Sequence, residues 1–354
     1  MRRGAALSGP ALSGVRSMAL ALTLTLTLRL TLTLTLAWTL GLASHAAFAQ
    51  PAEFEPTTVT MELRQISEHV HYVLGQAGMV SSANQGFNSN AGFVVTPEGV
   101  VVFDVLGSPA LGQRFAELIA RTTAQPVRRI VISHYHADHF YGLQAFVGPG
   151  ARTVQVWADE QVRAYLAGDA PAARLAERRQ SLAPWVNDQT RIVVPDTYLG
   201  ADAVFKLGGL SFRVLRAGPA HTPEDLMLLV EEDGVLFVGD LMFAGRVPFV
   251  GDADVSAWIG AIDRVLVFKP RIVIGGHGPA STNAEGDLRA TRDYLAYVRA
   301  QMAAAFEEGI DFEEAYRRTD WSAYAALPAF DAANRRNAYQ TYLSVEKEAL
   351  AKGR

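Results

Sequence analysis

Apolar positions change their period along this chain, and the changes predict its elements. Thr60 to Ile66 and Val70 to Leu74 alternate apolar and polar residues, as an opening hairpin does, which makes His69 and His71 structural strand residues. Residues 75 to 91, rich in Gly, Ser and Asn, predict a long loop of the kind that is more often functional than slack. A unit then occurs twice. Phe93 to Thr96, the turn Pro97-Glu98-Gly99 and Val100 to Phe103 predict a buried hairpin whose second strand terminates at Asp104. Leu226 to Val230, the turn Glu232-Asp233-Gly234 and Val235 to Val238 predict its counterpart, terminating at Asp240. Each hairpin is followed by a helical segment, Pro109 to Thr122 and Val255 to Phe268, and then by a strand leading into a histidine. The first runs from Arg129 to Ser133 into His134, the second from Arg271 to Ile274 through two glycines into His277. Helical periodicity returns over Ala284 to Glu307 and Asn334 to Ala349, with a short helix expected over Asp311 to Arg318.

Every apolar strand face must be covered, so two copies of hairpin, helix and strand predict an α/β fold. The expected architecture is a four-layer αβ/βα sandwich: two facing mixed β-sheets, outer helices on both sides, and C-terminal helices closing one edge. The expected organisation is a signal peptide over residues 1–49, a linker over 50–58, the sandwich domain over 59–305, and a C-terminal helical extension over 306–354 packed on that domain. The duplicated strands bring their histidines and carboxylates to the same kind of strand end, which places the chemistry where the halves meet.

The ends of the chain modify this picture. Arg29 precedes the apolar run Leu30 to Leu42, and Ala47-Phe48-Ala49 gives a small-x-small cleavage pattern before Gln50. Export to the periplasm or medium is the expectation, with Met1 and Met18 both open as starts. The run suits a signal peptide better than a membrane span, which needs roughly 20 apolar residues. No stable membrane insertion is expected once the leader is removed. Residues 1–49 hold four arginines and no acid, so the remainder has 28 basic against 36 acidic residues, a net of −8. An acidic body with no basic cluster argues against nucleic acid as a partner and leaves a small molecule. The chain has 0 cysteines, which excludes thiolate ligation, a cysteine nucleophile and disulfides.

His134-Tyr135-His136-Ala137-Asp138-His139 places three imidazoles and a carboxylate within six residues directly behind a strand. Four metal-ligand side chains leaving one strand end can serve two ions at once. His221 after Gly218-Pro219-Ala220, Asp240, and His277 in a Gly-Gly-His-Gly loop complete seven candidate ligands. Imidazole plus carboxylate without thiolate suits Zn²⁺, the default, and also Fe²⁺ or Mn²⁺. Two divalent ions, two carboxylates and a hydroxide leave the site at about +1, which favours an anionic substrate.

The His-x-His-x-Asp-His run, the later lone His221, the Gly239-Asp240 pair and the Gly276-His277-Gly278 loop together resemble the metallo-β-lactamase superfamily of metallohydrolases, over roughly residues 60 to 300. The resemblance implies one ion held by His134, His136 and His221, a second by Asp138, His139 and His277, and Asp240 bridging both. Common zinc β-lactamases carry a cysteine where Asp240 stands. The pattern is more similar to the glyoxalase II branch, which includes exported relatives linked to quinoprotein or sulfur metabolism.

The expected chemistry is attack by a metal-activated water on a thioester, lactone or other ester-like carbonyl, with Asp138 steering or accepting the proton. Asp104 is expected to accept a hydrogen bond from a ligand imidazole. Tyr141, Arg246, Asn88 and Asn90 are candidate substrate contacts, with core packing, surface ion pairing and turn formation as their bland alternatives. Three other readings compete: β-lactam hydrolysis on the same site, a mononuclear iron oxygenase acting on sulfur compounds, and a metal-holding binding protein without turnover.

Overall fold

The computed structural model describes residues 54–147, 153–251 and 253–352. The leader expected over residues 1–49 lies outside them, and the linker enters only from Phe54. A first sheet has the strand order β1 (Leu63–Gln65), β2 (Val70–Val73), β3 (Ala91–Thr96), β4 (Gly99–Phe103), β5 (Val127–Val131), β6 (Gln155–Asp159) and β7 (Thr197–Leu199). Its first four strands pair antiparallel and the later pairings are parallel. The second sheet contains β8 (Ala203–Leu207), β9 (Leu210–Arg216), β10 (Leu226–Val230), β11 (Val235–Phe243) and β12 (Ile272–His277), laid out in reverse of chain order. All its pairings are antiparallel except β11 with β12.

Strand alternation divides the apolar side chains among three buried layers. Val101, Phe103, Val131, Leu226, Leu228, Val235 and Phe237 fill the space between the sheets. Val100, Val102, Ile130 and Ile132 face the other way, onto Leu111, Phe115 and Ile119 of helix α1 (Pro109–Thr122). The duplication expected from sequence is present, and the two mixed sheets with their outer helices make the expected four-layer sandwich.

Helix α1 begins where Ser108 caps the Leu111 amide at 3.2 Å with Pro109 in the first turn, a cap contributing about 1 kcal/mol. Two short helices follow β5: α2 (Ala137–Phe140) and α3 (Leu143–Phe146). Next come α4 (Val162–Ala167), α5 (Ala170–Ser181), α6 (Val255–Val267), α7 (Ala284–Glu307), α8 (Phe312–Arg318) and α9 (Phe330–Lys352). Leu236, Val238 and Val273 pack onto Trp258 and Ile262 of α6 and Leu288 and Leu295 of α7. Phe312, Ala333 and Ala338 of the last two helices extend this same cluster. Helix α7 runs through residue 305, so the boundary expected at 305/306 falls inside it.

Two local expectations change. β11 does not end at Asp240 but continues to Phe243, with irregular pairing on both sides of that residue. His69 sits in the turn before β2, where its Nδ1 and the Ser67 hydroxyl meet the Asp233 carboxylate, His69 at 2.8 Å. This latch ties the β1–β2 turn to the β10–β11 turn of the other sheet. His71 does lie in β2, stacked on Phe93 at 5.0 Å. Among the described residues no helix is long and apolar enough to cross a membrane.

Candidate metal centre

The chain leaves β5, passes Ser133 and turns into α2, so His134, His136, Asp138 and His139 project from one tight turn at the end of a central strand. The second sheet supplies the rest. His221 precedes β10, Asp240 lies in the irregular part of β11, and His277 ends β12. Gly239 takes a left-handed φ of 53°, and a Cβ there would press on Ser133, so the bulge can approach the first sheet only without a side chain. A Cβ on Gly276 would collide with the Asp240 carboxylate.

These elements bring all seven side chains together. Ligand atoms of His134, His136, His221 and Asp240 lie within 4.8 Å of one another, as do those of Asp138, His139 and His277. Asp240 faces both sets. Its Oδ2 is 3.4 Å from the Nε2 of His221 and of His277, and its Oδ1 is 3.2 Å from His139 Nε2.

Whether these donors fit a metal is testable on the geometry. His136 Nδ1 lies 3.0 Å from both His134 Nε2 and His221 Nε2. Three ring nitrogens converging on one point suit a cation, since a tetrahedral ion with 2.0–2.1 Å bonds holds its nitrogens about 3.3 Å apart. The buried atoms His139 Nε2 and Asp240 Oδ1 have no hydrogen-bond partner, as unsatisfied metal donors would. Burial pushes His221 down to about 4 and, with neighbouring imidazoles, holds His134 well below the ordinary histidine range. Such rings stay neutral, the form that binds metal. Burial alone would raise the Asp240 carboxyl, but His277 and His139 outweigh it and hold the group well below the carboxylate range. The donors therefore fit two divalent cations.

Surrounding groups orient the ligands. Asp104, in a left-handed turn at φ 58°, accepts from the Ser133 amide and hydroxyl at 2.7 Å, and lies 2.9 Å from His139 Nδ1. Ser133 Oγ is in turn 2.9 Å from His134 Nδ1. One carboxylate thus steadies a ring from each set, a wider role than the single contact expected. His277 Nδ1 donates to the Asn88 carbonyl at 2.7 Å, and the Asn88 amide donates to Asp138 Oδ2 at 3.1 Å.

The four expected substrate contacts separate. Asn88 and Arg246 line a cavity of about 400 Å³ above the ligands. Asn90 does not, because its amide is committed to the carbonyls of Gly275 and Gly278 at 2.8 and 2.7 Å, and it pins the long loop to the end of β12. Tyr141 is a core residue with its ring 4.8 Å from Phe140, held there by the apolar cluster beneath the first sheet. The cavity also takes Arg174, Arg178 and Ser181 from α5, and Arg336 from α9. None of these was picked out in the sequence, where arginines on polar helices resemble a solvated face.

A four-layer sandwich whose two sheets jointly present a seven-donor histidine and aspartate floor defines a metal-dependent enzyme. Residues 84–277 match the model of the metallo-beta-lactamase superfamily, and the chain belongs to that superfamily of metallohydrolases. It is similar to a linear primary-alkylsulfatase of Pseudomonas sp. (strain ATCC 19151), with 22% identity over 62% of this chain and 48% of the relative. It is also similar to a hydroxyacylglutathione hydrolase of Francisella tularensis subsp. novicida, with 27% identity over 38% of this chain and 41% of the relative. The chain thus spans less than half the length of either relative. Among solved structures, the stereoselective inverting sec-alkylsulfatase Pisa1 from Pseudomonas sp. shares the fold, with a TM-score of 0.60 and 18% identity over 80% of this chain and 50% of that one.

Proposed function

We propose that the chain is an exported hydrolase with two divalent ions, zinc by default, acting on a small anionic ester or thioester. The observation that carries this reading is the Asp240 carboxylate standing between two complete ligand sets, one of three histidines and one of Asp138, His139 and His277. A mononuclear iron oxygenase requires only one of these sets. The two curated relatives support the substrate class, because an alkyl sulfate and a hydroxyacylglutathione are, by chemistry, an anionic ester and an anionic thioester.

Ions bound in the two sets supply Lewis acidity and acidify water. The chain's own residues do the rest. Hydrolysis joins the water oxygen to the electrophilic centre, breaks the bond to the leaving oxygen or sulfur, and moves one proton from water to the leaving group. Asp138 is suited to that transfer, since its side chain is 18% exposed to the cavity against 5% for Asp240. Burial would raise its pKa, but His139 and His277 dominate and lower it, so it is a carboxylate at neutral pH. Asn88 fixes one of its oxygens. Arg246, whose guanidinium lies over the Phe243 ring at 5.8 Å, offers a forked donor to a substrate anion.

The test is metal content of the purified chain followed by hydrolysis of ester, thioester, lactone and β-lactam substrates with and without chelator. Two zinc per chain and chelator-sensitive hydrolysis are expected; one iron with O₂ uptake would overturn the reading. Export rests on the segment from Arg29 to Ala49, and mass spectrometry of the secreted chain should find Gln50 as the first residue. An intact leader on the exported protein would refute cleavage there.

A further inference from the structure

We propose that the face of α5 carrying Arg174 and Arg178 is a second anion-binding point facing Arg246 across the cavity, so that the preferred substrate bears a negative charge on each side of its scissile bond. This rests on the reading of the floor as a hydrolytic centre.

The argument begins with unbalanced charge. Among the described residues four arginines line the cavity, and the only acid there besides the ligand carboxylates is Glu177, which pairs with Arg178 at 3.2 Å. Among the described residues Arg174, Arg246 and Arg336 have no carboxylate within 4.0 Å. Arg246 is the most committed of them. It is 8% exposed, its Nε has no hydrogen-bond partner, and one terminal nitrogen makes only a 3.4 Å contact with the Gly78 carbonyl. Burying a guanidinium without a counter-charge is costly, which is why burial lowers its pKa despite Asp240 and Asp138 nearby. Such a group is complementary to an anion that arrives with the ligand.

One anion would satisfy Arg246 alone, and the placement of the others points to two. Arg246 follows β11 in the second half, with a terminal nitrogen toward the Gly78 carbonyl. Arg174 and Arg178 stand instead on α5, between β6 and β7 of the first half. The cavity therefore draws its guanidiniums from two separate walls, one in each half. Arg174, Arg178 and Ser181 recur at helical spacing on one stripe of α5, so Arg178 and a hydroxyl extend the α5 wall. Met79, Val80 and Phe249 line the same cavity and suit a hydrocarbon body joining the two charged ends.

The test uses the metal-replete full chain and four aryl esters of like leaving group, each corrected for its uncatalysed hydrolysis: neutral 4-carbamoylphenyl acetate, 4-carbamoylphenyl hydrogen succinate charged on the acyl side, 4-acetoxybenzoate charged on the leaving side, and 4-(succinyloxy)benzoate charged on both. The dianion should show the highest kcat/KM, about tenfold above either monoanion, mainly through KM. Arg174→Gln/Arg178→Gln should lose the preference for a charge at one end and Arg246→Gln for a charge at the other. Equal losses across all four esters in both variants would mean a structural role and overturn the proposal. A binding titration with the non-hydrolysable amide 4-(succinylamido)benzoate keeps the two readings apart. If no ester is cleaved, the hydrolytic reading falls, but the dianionic amide should still bind about tenfold tighter than its singly charged halves. Equal affinity for all three amides would sink the anion clamp whatever the turnover.

Discussion

The two repeated halves of this molecule build the same floor by different means. The first half supplies His134, His136, Asp138 and His139 from one stretch running from the end of β5 into α2, where local geometry brings four donors together. The second half supplies His221, Asp240 and His277 from three separate places in its sheet, and only the tertiary fold makes them neighbours. The first arrangement is set by consecutive residues. The second depends on clearances, such as the absence of a Cβ at Gly239 and Gly276.

This contrast is open to experiment, and the largest effect should come from the residue both sets share. Asp240→Ala should abolish turnover and reduce bound metal from about two ions to below one, measured by elemental analysis, because a single carboxylate faces both sets. His136→Ala and Asp138→Ala should also abolish turnover, but each should leave the other set able to hold an ion and the circular dichroism unchanged. Retained activity in either would count against the scheme. Gly276→Ala comes next. It touches no substrate, yet its methyl group would displace the Asp240 carboxylate, so metal affinity should fall by about tenfold or more in a folded chain. Asp104→Asn should cost about 10–100-fold in metal affinity or activity, since the ligand rings lose the acceptor that sets their tautomer.

The smallest effect lies far from the floor, in the Ser67–His69–Asp233 latch. Burial alone would raise the Asp233 carboxyl, but the Ser67 hydroxyl and His69 outweigh it and lower its pKa. A group whose folded pKa is depressed adds stability above its unfolded pKa and loses it as pH falls through the folded value. Asp233→Asn should therefore melt a few degrees below the parent at neutral pH, by about 1 kcal/mol or less, and the gap should close in strong acid. A gap that widens in acid would show that the carboxylate is not the stabilising form.

Legibility from sequence followed the same division. The repeated halves were readable because their strands are continuous apolar runs and their helices carry clear apolar stripes, with α1 and α7 falling at the expected bounds. The stretch between the halves was not. Helix α5 buries only Pro171 and Leu175, and β8 shows no fully buried residue, so neither has a strong period to detect. That silent stretch carries Arg174 and Arg178. The ligand floor was legible because histidine spacing is a local signal. The walls were not, because an arginine on a polar helix gives no sign of whether it meets water or a cavity. Tyr141 and Asn90 failed as substrate contacts for the opposite reason: nearness in sequence to the motif and loop did not mean facing the cavity, since one is core and the other ties backbone.

Asp104 receives His139 directly and His134 through Ser133, so rings of different ligand sets share one anchor. Whatever turns that carboxylate turns a ring in both sets, so the two ligand sets keep a common orientation.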